Sequence, residues 1–290
     1  MPSERIQWFP GHMAKTRRLI SENLKYVDLV IEILDARIPK SSRNPEIRSL
    51  IAGKPSIILL NKSSMADERM NSLWMKQLNT EYSRCILTDC IQGQGLNQIV
   101  PAIKDILQEK TERYEMKGMI GRKLKAMVLG IPNVGKSSLI NRISGNAKAK
   151  VENRPGVTLN MQWIPTKLGI DLLDMPGILW PKFDDRTVAE NLAITGAIKD
   201  EIMNIEDIAT ALCGRLRTQY PELLKTRYKL ESVPSLEEMN NYELLLSIGR
   251  KRGLLMAGNE VDEERTSNML INEFRLVKIG RITLDRLESC

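Results

Sequence analysis

Residues 130–137 read Gly-Ile-Pro-Asn-Val-Gly-Lys-Ser, which fits G-x-x-x-x-G-K-[ST] and sits near the middle of the chain. An apolar run at 126–129 precedes it, and Leu139, Ile140 and Ile143 follow at helical spacing. A strand, a glycine-bearing loop and a helix in that order make a phosphate cradle. The glycines let backbone N–H groups curl inward, and the helix N-terminus adds positive potential. The N–H groups of Val134, Gly135, Lys136, Ser137 and Ser138 would line such a cradle. Lys136 would reach the terminal phosphates of a nucleotide, and the Ser137 hydroxyl would hold Mg²⁺.

The loop belongs to an alternating pattern. Strand-like runs at 29–34, 56–60 and 85–88 come before it, with helical patterns at 13–26 and 72–78 between. Gly93-Gln94-Gly95 leads into an amphipathic stretch expected to run as one helix from 96 to 114. Two further strands are expected at 161–165 and 170–173. This alternation predicts an α/β fold, a doubly wound, mostly parallel P-loop sheet with helices on both faces. After residue 181 helical patterns take over, at 188–198, 205–216, 236–246 and 266–277. Asn204 and Ser235 are the candidate caps, and Pro221 and Pro234 interrupt the segments. The expected division is a nucleotide-binding domain over 1–181 and a small all-α domain over 182–290.

Composition narrows the class. The 290 residues are 42% hydrophobic, with no run long enough to cross a membrane and no secretory leader pattern. Four cysteines without metal or disulfide spacing, and one histidine, suit reduced thiols and a cytoplasmic setting. The net charge is +7. Basic residues gather at Lys117, Arg122, Lys123 and Lys125, and again at Arg215, Arg217, Lys225, Arg227 and Lys229. Beside a nucleotide site, these clusters favour RNA over membrane as the anionic partner. Aromatic residues are only 4%, so contact with RNA should be electrostatic rather than by base stacking. Trp163, Trp180 and Phe183 are expected to pack in the core.

A kinase, an ATPase and a GTPase all use such a loop. Asp174-Met175-Pro176-Gly177 follows an apolar run as D-x-x-G follows its strand in GTPases, with Asp174 toward Mg²⁺ and the Gly177 N–H toward the γ-phosphate. Thr158 lies between the two segments, where a threonine would complete the Mg²⁺ shell. A base-reading segment is missing downstream but present upstream. Asn61-Lys62 ends the run at 56–60, and Thr88-Asp89-Cys90 ends the next, where an N–H of Asp89 or Cys90 would meet a guanine carbonyl. Base-reading before phosphate-reading is a circular permutation. A metabolic kinase would need an acceptor site and a lid, and neither has a sequence signal.

These residues, with Trp8-Phe9-Pro10-Gly11-His12-Met13, Asp35-Ala36-Arg37-Ile38-Pro39, the run 95–101, the Ile178–Phe183 stretch and the run 195–200, resemble the circularly permuted YlqF/RbgA family, the ribosome biogenesis GTPase A proteins. The resemblance extends nearly end to end. It implies a GTP-binding and GTP-hydrolysing switch in late assembly of the large ribosomal subunit, with GTP/GDP and the rRNA and proteins of the subunit precursor as partners. It also implies Mg²⁺ as cofactor and a helical domain that contacts rRNA. His12 is the catalytic candidate, since Ile178 stands where a Ras-like protein has its water-orienting glutamine; a histidine that meets rRNA phosphate, or has no role, is the alternative. Pro10 and Gly11 are expected to form a turn before it. Asn133 resembles an asparagine that helps bind K⁺, against a plain turn residue. Arg37 is either a phosphate ligand or a structural ion pair.

One position departs from the family. N-K-x-D here is Asn61-Lys62-Ser63-Ser64. Loss of the carboxylate predicts weaker guanine selectivity, by about 2–4 kcal/mol, with phosphate binding retained. Asp67 is the candidate substitute. The alternative function is an RNA-associated nucleotide-binding assembly factor with little hydrolysis or relaxed guanine specificity.

Overall fold

Strand β1 (Leu29–Asp35) is buried at all seven positions, as a strand covered on both faces should be. It pairs in parallel with β2 (Ser56–Asn61), which pairs in parallel with β3 (Ser83–Leu87). On its other side β1 meets β4 (Leu124–Gly130). The sheet is completed by β5 (Gln162–Pro165) and β6 (Ile170–Asp174), in the order β3-β2-β1-β4-β6-β5. Among the described strands, only the β5–β6 pair is antiparallel. The computed structural model describes residues 10–119, 121–145, 161–166, 169–180, 183, 185–198, 203–230 and 238–287.

Val30 and Leu34 lie on one face of β1. At one end Ile20 of α1 (Pro10–Asn23) and Ile47 of α2 (Pro45–Leu50) join Val30 in an apolar cluster. At the other, Met70, Trp74 and Leu78 of α3 (Glu68–Leu78) pack with Leu34 and Leu60. Ile31 and Ile33, on the opposite face, are equally buried. The stretch expected as one helix from 96 is divided: a 3₁₀ turn, then α4 (Ile99–Ile106) and α5 (Gln108–Met116), with Leu107 buried at the junction. Helix α6 (Lys136–Ser144) follows β4. Pro10 and Gly11 do not form a turn. They open α1, where the missing N–H of proline costs no helical bond.

The second unit holds α7 (Arg186–Ile194), α8 (Ile205–Gln219), α9 (Pro221–Tyr228), α10 (Asn241–Lys251) and α11 (Glu263–Arg275). Asn204 caps α8 by accepting from the Asp207 N–H at 3.0 Å. Pro221 starts a helix rather than merely ending one. Helix α10 begins later than its apolar pattern suggests, because Asn240 and Glu243 form a capping box. Ser235 lies outside the described residues.

The chain divides into two compact units, Met1–Asp184 with Asp285–Cys290, and Asp185–Leu284. The sequence boundary at 181/182 falls close to the first junction but misses the return. Asp285 accepts from the Ser41 N–H and hydroxyl, both at 2.6 Å, and its carbonyl accepts from the Trp74 indole at 3.3 Å. Among the described residues, no helix is long and apolar enough to cross a membrane. Cys85, Cys90 and Cys213 are free thiols, all buried.

Candidate nucleotide site

Strands β1, β2 and β4 run in parallel, so their C-terminal ends bring Asp35, Asn61 and the loop after Gly130 to one edge of the sheet. Such an edge is where open α/β sheets bind ligands. The base-side segment and the phosphate loop are joined there by Asn61. Its Nδ2 donates to the Val134 carbonyl at 2.6 Å, and its Oδ1 accepts from the Cys90 N–H at 2.9 Å. The approach is so close that only glycine fits beside it. A Cβ on Gly135 would lie 2.2 Å from Asn61 Nδ2, and Gly135 also holds φ at +99°.

Lys62 makes the second link. Its Nζ donates to the Asn133 carbonyl at 2.7 Å and to Asp35 Oδ2 at 2.9 Å. Asp35 also receives Arg37 in a two-pronged pair, Nε at 2.9 Å and Nη2 at 2.7 Å. Burial alone would raise the Asp35 carboxyl, but the charges of Arg37 and Lys62 outweigh it and hold the group well below its ordinary 3.8. Arg37 is thereby a structural ion-pair partner. Asn133 adopts a left-handed backbone with φ +60°, a geometry that asparagine tolerates.

Gly135 caps α6, so Lys136, Ser137 and Ser138 form its first turn. Lys136 Nζ donates to Asp174 Oδ1 at 2.6 Å. Asp174 Oδ2 is buried and meets no hydrogen-bond partner among the described residues. An orphaned, buried carboxylate oxygen is the kind of donor that Mg²⁺ and its waters satisfy. The Asp174–Gly177 segment lies against the loop: the Ile178 N–H donates to the Gly130 carbonyl at 3.2 Å, and a Cβ on Gly177 would be 3.1 Å from Pro132 N. Ile178 itself is 6% exposed and belongs to the apolar core. Thr158 lies outside the described residues, as does the side chain of His12, whose backbone is in the first turn of α1.

Two expectations are revised. The N–H groups proposed to meet a guanine carbonyl are engaged within the chain, Cys90 with Asn61 and Asp89 with the Gln94 carbonyl at 3.1 Å. Asp67 caps α3 by accepting from the Met70 N–H at 3.0 Å. Sequence reading also missed the partner of Ser64, whose hydroxyl donates to Asp89 Oδ2. Burial pushes the Cys90 thiol up to about 12, so it is not a nucleophile.

The cationic clusters are partly neutralised. Arg215 pairs with Glu190 at 2.7 Å, and Arg227 with Glu273 at 2.6 Å. Arg217 donates to the Met239 carbonyl. Lys117, Arg122 and Lys123 are exposed. Trp180 and Phe183 stack edge to face at 5.0 Å, as expected of packing residues. Trp163 is instead 41% exposed on edge strand β5, with Lys125 over its ring at 5.1 Å.

Fold and site together define a P-loop protein of the GTPase type, with its base-side segment ahead of its phosphate loop in the chain. A family model described as "50S ribosome-binding GTPase" matches residues 125–237. The chain is 48% identical to ribosome biogenesis GTPase A of Priestia megaterium, across 97% of this chain and 96% of that one. It is 47% identical to the Bacillus licheniformis protein of the same name, across 98% and 99%. The GDP-bound structure of YlqF from T. maritima aligns at a TM-score of 0.65 and 26% identity, covering 94% of this chain and 100% of that one. The chain belongs to the ribosome biogenesis GTPase A family, a family of GTPases.

Proposed function

We propose that this protein is a GTP-hydrolysing switch of the cytoplasm that binds the precursor of the large ribosomal subunit in a nucleotide-dependent way. The observation that carries the nucleotide reading is Asn61, which ties the base-side strand end to the phosphate loop through Val134. Base and phosphate contacts are thereby sensed by one rigid edge. The loop N–H groups from Val134 to Ser138 bind the phosphates, Lys136 turns from Asp174 to the terminal phosphates, and Gly177 reports the γ-phosphate. Ser137 and Asp174 would hold Mg²⁺, with Thr158 as the third ligand; the ion neutralises charge on the phosphates. His12 orients the attacking water, which displaces GDP from the γ-phosphorus and leaves inorganic phosphate. Asn133 helps hold K⁺ beside the phosphates.

The exposed Lys117, Arg122 and Lys123 and the helical unit meet rRNA phosphate. Sedimentation with large-subunit precursors tests the switch. Binding with GTP or a non-hydrolysable analogue and release with GDP is the expected result; binding indifferent to nucleotide overturns it. A second reading, an assembly factor with little hydrolysis of its own, is favoured by Ile178, which faces the core instead of the site. GTP turnover with and without the particle separates the two.

A further inference from the structure

Position 64 lacks the carboxylate that should read guanine, yet a carboxylate stands beside it. The ends of β2 and β3 are locked together, because the Ser63 N–H and hydroxyl both donate to the Thr88 carbonyl, at 3.1 and 3.0 Å. That lock sets Ser64 against Asp89, and the Ser64 hydroxyl donates to Asp89 Oδ2. The other oxygen, Oδ1, accepts from the N–H groups of Ile91 and Gln92 at 3.0 and 2.9 Å. The carboxylate is therefore held at both oxygens and is buried, whereas Ser64 is half-exposed. The loop bearing Asp89 is tied to the phosphate-loop helix, since Arg142 of α6 donates to the Gln92 carbonyl at 3.2 Å.

The chemistry of the pair differs from that of a lone serine. A free hydroxyl both donates and accepts. It would accept from guanine N1–H and equally donate to adenine N1. A hydroxyl whose proton is committed to a carboxylate offers only lone pairs, and the negative charge behind it strengthens them. Guanine presents N1–H and the 2-amino group as donors; adenine presents N1 as an acceptor and meets repulsion. We propose that Ser64 and Asp89 form one base-reading unit, with Ser64 as the contact atom and Asp89 as the positioning residue that supplies its charge. Guanine selectivity is then kept without an acid at position 64. This rests on the reading of the site as a nucleotide site with its base at the Asn61 edge.

The test is titration of the full-length protein with GDP and with ADP, read as the ratio of affinities. The parent should favour GDP by roughly 100-fold or more, because the hydrogen bonds from guanine to a charge-backed acceptor have no counterpart with adenine. Asp89→Asn, whose side-chain oxygen still accepts from Ile91 and Gln92, should cost about tenfold or more in GDP affinity and leave ADP unreduced. Ser64→Ala, which leaves the Asp89 loop bonds intact, should do the same and decides the matter if Asp89→Asn does not fold. Ser64→Asp alone should not raise the ratio, because a second carboxylate would face the first. Ser64→Asp with Asp89→Asn should restore it by moving the charge across the pair. A folded Asp89→Asn or Ser64→Ala with the parent's ratio, or Ser64→Asp alone with a higher one, overturns the proposal. A parent that binds GDP and ADP equally overturns the guanine reading beneath it.

Discussion

Lys136 and Asp174 hold each other across the phosphate loop at 2.6 Å, both buried, while the second oxygen of Asp174 has no hydrogen-bond partner among the described residues. Removing the lysine leaves an uncompensated buried charge. Lys136→Ala should lose about 3–5 kcal/mol of stability. It should also abolish measurable nucleotide binding. Urea denaturation and GDP titration read the two effects separately. A stability change under about 1 kcal/mol would show that the pair is solvated in solution.

Gly135 and Asn61 are coupled by contact. Gly135→Ala must displace Asn61 Nδ2 from 2.2 Å and strain a residue at φ +99°. A cost of about 1–3 kcal/mol is expected. Asn61→Ala removes the obstructing atom, so the double variant should be less destabilised than the two single effects added. Strict additivity in a double-mutant cycle would count against the close approach.

Asp35 makes a pH prediction. Its carboxyl is held below 3.8 in the folded state, so its ion pairs add stability that is fully present above about pH 3.8 and is lost as pH falls through the folded value. Asp35→Asn should be destabilised by about 3–5 kcal/mol at neutral pH, because Arg37 and Lys62 lose the negative charge they share. The gap between parent and variant should narrow below pH 3.8. Urea denaturation at neutral and acid pH measures it; a gap constant with pH would exclude Asp35 as its source.

Hydrolysis offers a fourth test. His12→Ala should reduce particle-stimulated GTP turnover by about 10²–10⁴-fold, the usual worth of a positioned acid–base group, with GDP affinity unchanged. Replacement of K⁺ by Na⁺ should slow turnover if Asn133 helps hold the ion. Unaltered stimulated turnover in His12→Ala would remove the histidine from the mechanism.

The strands of the sheet are legible because 29–34, interrupted only by Glu32, and 57–60 are apolar runs, the mark of strands covered on both faces. The phosphate loop is legible because its constraint is local, with the glycine, the lysine and the helix adjacent in sequence. Partnerships across distance are not. Arg215 and Arg227 read as a free basic cluster, but their acids lie 25 and 46 residues away. The Ser64–Asp89 pair spans 25 residues and depends on the β2–β3 register, which no spacing rule reveals. Asn240 displaced the start of α10 because a complete capping box outweighs an apolar pattern.

Asp285, which returns from the helical unit to Ser41 and Trp74, makes residues 185–284 a guest inserted in a host rather than an appended module. Excision of the guest, with its flanks rejoined, should leave the nucleotide unit whole. Simple truncation at 184 would strip Ser41 and the Trp74 indole of their acceptors. It also follows that a displacement begun at Gly177 and one begun at Asp285 reach the guest through opposite ends of its chain.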